Sequence, residues 1–98
     1  MITANIEDLT AWIPRFLPLP RVLIVRLYAP GIEPVEPNPF KFAVVAVVQR
    51  RVATIKALCQ GVTPGYMRAG ARALAKIGIR RLEWRHDGVN HQIETGAQ

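Results

Sequence analysis

The stretch RRLEWRHDGVNHQIE, residues 80–94, admits one register as a β-hairpin. Asp-Gly is a favoured pair for a two-residue turn, which needs positive φ at both positions. Centred on Asp87-Gly88, the pairing sets His86 opposite Val89, Trp84 opposite His91 and Leu82 opposite Ile93 on one face. Arg85 meets Asn90, Glu83 meets Gln92 and Arg81 meets Glu94 on the other, where the last pair carries opposite charges. A slip of one residue would send every side chain to the wrong face. A hairpin over 79–95 is therefore expected, and its apolar, aromatic face needs a cover.

The segment before it supplies one. Thr63 is placed to cap a helix, Pro64 suits the first helical position and Gly78 suits a left-handed stop. In the helix expected over 64–77, Met67, Gly70, Leu74 and Ile77 recur at core-facing spacing with Ala73 beside them. The small residues Gly70 and Ala73 point to a close approach. Arg68, Arg72 and Lys76 recur every four residues on the opposite side, a spacing at which like charges cost a few tenths of a kcal/mol per pair.

Further upstream, Asn5 reads as an N-cap, with Glu7 and Asp8 in a first turn where the helix dipole favours acids. Ile6, Leu9, Trp12 and Ile13 make an apolar stripe, so a short N-terminal helix is expected, ended by Pro14, Pro18 and Pro20. RVLIVRLYA (21–29) has the length and β-branched content of a buried strand. The proline-rich PGIEPVEPNP (30–39) reads as a stiffened loop, or as a polyproline arm presenting Pro34, Val35 and Pro37 to a partner. FKFAVVAVVQRRVATIKALCQG (40–61) fits one helix or two strands, 41–48 and 52–59. Its valines favour strands, with Ala53, Ile55, Ala57 and Cys59 turned inward. The fold class these elements predict is α+β, one domain over 1–98. It comprises a small sheet whose C-terminal hairpin (79–95) packs against the capped helix (64–77) and a short N-terminal helix.

Charge is unevenly spread. Residues 50–85 hold nine cations against the single acid Glu83, within a formal net charge of +6. Such asymmetry points to an anionic partner, and Arg68, Arg72, Lys76, Arg80, Arg81 and Arg85 are the candidate contacts. The single cysteine, Cys59, excludes an internal disulfide and reads as a small buried hydrophobe. The sequence contains no serine, which removes serine-nucleophile chemistry. His86 and His91, without a carboxylate at ligand spacing, give no metal site, and neither a cofactor nor a catalytic residue is expected. No apolar run reaches the ~18 residues of a membrane span. The acids near the N-terminus are unlike a signal peptide, so a virion or the cytoplasm is the expected location.

The tract Tyr66-Met67-Arg68-Ala69-Gly70-Ala71-Arg72-Ala73-Leu74, preceded by a strand-like run and followed by Ile79 to Trp84, resembles the cofactor-binding segment of GNAT-type N-acetyltransferases. It is most similar to the GNAT-like internal virion proteins of tailed phages. The resemblance implies a strand leading into a helix whose N-terminal amides face a coenzyme A pyrophosphate, then a strand that splays away. Aligned on Gly70, Met67 stands where the enzymes carry Gln or Arg, and Arg72 stands where they carry Gly or Ala. Tyr28 and Tyr66 are the available general acids.

Three functions follow as expectations. The first is a non-enzymatic assembly protein, a phage or prophage virion component. It would bind neighbouring subunits or packaged DNA through the basic helix and the proline-rich arm, in an oligomer and without a membrane. The second is a coenzyme A–dependent N-acetyltransferase-like protein. The third takes 50–60 as helical and makes a winged-helix-like DNA-binding regulator, with Arg68 and Arg72 facing the groove.

Overall fold

The computed structural model describes residues 1–57 and 61–97. Six strands form one sheet in chain order: β1 (Thr3–Asp8), β2 (Arg21–Tyr28), β3 (Phe42–Gln49), β4 (Val52–Ala57), β5 (Arg81–His86) and β6 (Val89–Glu94). Every neighbouring pair is antiparallel except β4 and β5, which run parallel and are joined through helix α1 (Pro64–Ala75). The crossover is what parallelism demands, since a tight turn cannot return the chain to the same end of the sheet.

The expected fold class is therefore corrected. The described residues form a six-stranded mixed sheet with one helix on one face, and the hairpin supplies the last two of its strands. There is no N-terminal helix. Residues 3–8 are edge strand β1, registered Thr3↔Tyr28 through Asp8↔Leu23. Ile2, Ala4 and Ile6, spaced by two, pack against the core, while Thr3 Oγ1 and Asn5 Nδ2 donate to the carbonyls of Ile32 and Pro34. The helical reading used Asn5 as a cap, whereas its amide is bound to a segment far along the chain. Residues 50–57 are turn and strand, so the helix-turn-helix reading loses its first helix.

The core lies between the sheet and α1. Leu23, Val25 and Leu27 of β2, Val44, Ala46 and Val48 of β3, and Ala53 and Ile55 of β4 form one side; Tyr66, Met67, Ala71 and Leu74 form the other. Gly70 is buried in the middle of α1, where an added Cβ would stand 3.7 Å from Leu27 Cδ2 and 3.8 Å from Val25 Cγ1. These are ordinary contact distances, so the approach is close without requiring glycine.

The helix ends as its sequence says. Gly78 takes φ +86, its amide donates to Ala75 and the Ile79 amide donates to Leu74, the double bond of a Schellman stop. Ile77 lies beyond α1 and is exposed, which corrects its assignment to the core; at the other end Thr63 occupies the cap position without a side-chain capping bond. Cys59 and its neighbours 58 and 60 lie outside the described residues.

The hairpin register is the one read from Asp87-Gly88, with Trp84↔His91 stacked at 5.4 Å and φ of +50 and +77 in the turn. Gly88→Val is expected to destabilise the fold by about 1–2 kcal/mol, because a β-branched side chain is strained at positive φ. A urea titration showing parental stability would contradict that turn.

Candidate anion-binding surfaces

The two faces of the sheet divide the cations that the sequence groups together. α1 covers one face, and its outer side presents Arg68, Arg72 and Lys76 to solvent. Arg72 Nη2 donates to the Ile2 carbonyl at 3.3 Å, which anchors the middle of the stripe to β1. No acid occupies the first turn of α1, and among the described residues Arg68 and Lys76 form no ion pair. Arg81 and Arg85 alternate with the buried Leu82 and so belong to the face away from α1. Arg81 lies 2.9 Å from Glu83 and 3.9 Å from Glu94. Its Nε is buried and points out of line for a hydrogen bond despite the short contact with Glu83. The six candidate cations therefore form no continuous patch: three sit on the helix, Arg81 and Arg85 behind the sheet, and Arg80 at its end.

That end carries a group of cations that the reading of motifs passes over. Arg80 donates its amide to the Arg51 carbonyl at 2.7 Å, and Arg51 Nε donates to the Gly78 carbonyl at 2.8 Å. Arg50 and Arg51 are the two central residues of the β3–β4 turn, flanked by the pair Gln49↔Val52. Both have positive φ, +53 and +65. This is the same turn geometry as Asp87-Gly88, built from residues that disfavour it; an L-residue in that region costs roughly 1–2 kcal/mol. The signal was visible as two adjacent arginines between two strands, and was hidden while 40–61 fitted one helix as well.

A cleft of about 1000 Å³ opens beside this turn. Its lining includes Arg21, Arg50, Arg51 and Lys56 and no Asp or Glu, with Pro18, Leu19 and Pro20 as a facing wall. The β3–β4 ladder steps from Ala46↔Ile55 to Val45↔Ala57, leaving Lys56 as the extra residue of a bulge, a device that re-aims a side chain. Arg21 is already engaged, its Nη2 lying 2.9 Å from Asp8 Oδ2. Burial alone would raise the Asp8 pKa, but the Thr10 hydroxyl and amide and the Arg21 guanidinium outweigh it and hold the carboxyl below its ordinary value.

The proline-rich segment folds back on β1 through the Ile32 and Pro34 carbonyls. Asn38 closes it on the Glu33 and Val35 carbonyls, and Val35 and Pro37 remain at the surface.

The remaining chemistry is sparse. Among the described residues no three His, Cys, Asp or Glu side chains converge as metal ligands, and no helix is long and apolar enough to cross a membrane. The tract from Met67 to Arg72 lies inside α1, so its amides are used within the helix. Met67 donates to the Thr63 carbonyl, and Pro64 has no N–H, so the helix N-terminus has one amide fewer to offer than an ordinary helix. Comparison with protein-family models, curated proteins and solved structures finds no match.

Proposed function

We propose that the protein is a non-enzymatic structural component of a nucleic-acid-containing assembly, of the phage or prophage virion type its helix tract resembles. It holds the phosphate backbone against the outer side of α1, and protein neighbours meet the surface of the 30–39 loop at Val35 and Pro37. The observation that supports this reading is the stripe of Arg68, Arg72 and Lys76, exposed along one helix without an acid to offset it. Mutual repulsion makes such a stripe mildly unfavourable in isolation, and phosphates would relieve it. Cations without Asn or Gln on the same face favour backbone contact over base reading. Duplex DNA titrated at several salt concentrations tests the reading. Binding should weaken with salt at a slope of about 0.9 per phosphate contacted, and no binding at low salt would overturn it.

A second reading, an acyltransferase-like scaffold, draws support from the parallel β4–α1–β5 unit. Its ladder comprises Val52↔Arg81, Ala53↔Leu82 and Thr54↔Glu83, at the beginning of both strands. With Arg72 standing where the enzymes carry a small residue, and Pro64 removing an amide from the helix N-terminus, calorimetry with acetyl-CoA is expected to detect no binding. A dissociation constant below ~100 μM would put acyl transfer first.

A further inference from the structure

The segment joining β1 to β2 exposes aromatic surface that the core does not need. Trp12 is 80% exposed and Phe16 is 85% exposed, with Arg15 between them. The same segment continues into Pro18–Arg21, which forms one wall of the cleft beside the Arg50–Arg51 turn. A partner of this segment would therefore meet two aromatic faces. Here the partner must also satisfy a cleft lined by cations and free of carboxylates.

Building this cleft carries a cost in stability. The hairpin at 87–88 shows that the chain uses Asp-Gly where a turn alone is required, whereas the same geometry at 50–51 carries two arginines. Backbone held in a disfavoured region marks a functional position when the surroundings keep it there. The surroundings do so: the Arg51 carbonyl accepts from Arg80, and its Nε donates to Gly78. The bulge that makes Lys56 the extra residue of β4, on the cleft wall, is a second departure from regular pairing at the same place.

We infer that this cleft, together with the Trp12–Phe16 segment that leads into its proline wall, is a binding site for single-stranded nucleic acid. Arg50, Arg51 and Lys56 take phosphates, while the two aromatics stack on unpaired bases. Cations that track the backbone, combined with exposed aromatic faces, are the recurring chemistry of single-strand binding. A duplex keeps its bases stacked internally and has no use for the aromatics. The inference rests on the nucleic-acid reading above but uses none of the α1 residues.

The test uses oligo-dT of about 16 nucleotides, the upper end of single-strand site sizes, beside a duplex. Anionic vesicles of phosphatidylserine and phosphatidylcholine serve as the membrane control. The wild-type protein should bind oligo-dT tighter than duplex. The double variant Trp12→Ala/Phe16→Ala should weaken oligo-dT binding by roughly tenfold or more, since each stacked base contributes on that order, and should leave duplex binding unchanged. Arg50→Asn supplies a residue the turn favours, so it should raise Tm while reducing the oligo-dT salt slope by about 0.7.

A higher Tm for Arg50→Asn with unchanged oligo-dT affinity and slope would overturn the inference. So would an aromatic double variant that loses vesicle binding and keeps oligo-dT binding, which would make the segment a membrane contact. Duplex binding that persists while oligo-dT is bound no tighter removes the cleft site alone. Loss of all nucleic-acid binding in the wild type removes both readings.

Discussion

Leu74→Ala is expected to lower the unfolding free energy by about 3 kcal/mol, within the range for deleting a buried leucine side chain. Leu74 is fully buried in the layer that α1 shares with Val25, Leu27, Val44 and Ile55. The helix is the sheet's only helical cover among the described residues, so no second element can collapse into the space left behind. The carbonyl of Leu74 also receives the Ile77 and Ile79 amides of the stop at Gly78, which holds the backbone in place around the cavity. For a domain of this size the loss corresponds to a fall in Tm of roughly 15 °C. Urea titration should show a lower midpoint with an unchanged slope. A loss under ~1 kcal/mol, below the usual cost of a core truncation, would mean that the site relaxes and that α1 repacks against the sheet.

Replacing Arg68, Arg72 and Lys76 together with Gln is expected to have the opposite pattern: intact folding and a large loss of binding. Removing the like-charge repulsion stabilises the helix by a few tenths of a kcal/mol per pair. Loss of the Arg72 bond to the Ile2 carbonyl offsets part of that gain, and Gln is a comparable helix former. Duplex binding should lose up to three phosphate contacts, lowering the salt slope by about 2.7 units. The measurement is fluorescence anisotropy of labelled duplex across a salt series, with a thermal melt to confirm folding. Unchanged affinity and slope at low salt would make the stripe a solvated face and end the charge argument for α1. The cleft at the far end of the sheet predicts a different dependence, on Arg50 and the exposed aromatics, so the two surfaces are separable by variant.

Local signals in the sequence were sufficient where a side chain answers to its immediate neighbours. Asp87-Gly88 and the alternation on either side of it set the β5–β6 register, because turn chemistry and a two-residue period agree on one pairing. Gly78 marked the helix stop because only a residue free of Cβ adopts that conformation without strain. The excess of cations after residue 50 was likewise readable as composition.

Three matters were decided by tertiary structure. Residues 3–8 carry spacings compatible with both helix and strand; pairing with β2 and bonds from Thr3 and Asn5 to the 32–34 backbone selected the strand. Charge counted along the sequence grouped Arg81 and Arg85 with Arg68 and Arg72, but a sheet lies between them, and only its two-sidedness separates the sets. Arg50 and Arg51 entered a turn that their own preferences oppose, because β3 and β4 are both needed in the middle of the sheet and two residues are all that connects them. Long-range pairing outweighs local preference when a central strand has partners on both sides. That is why the basic end of the sheet had to be found in the fold.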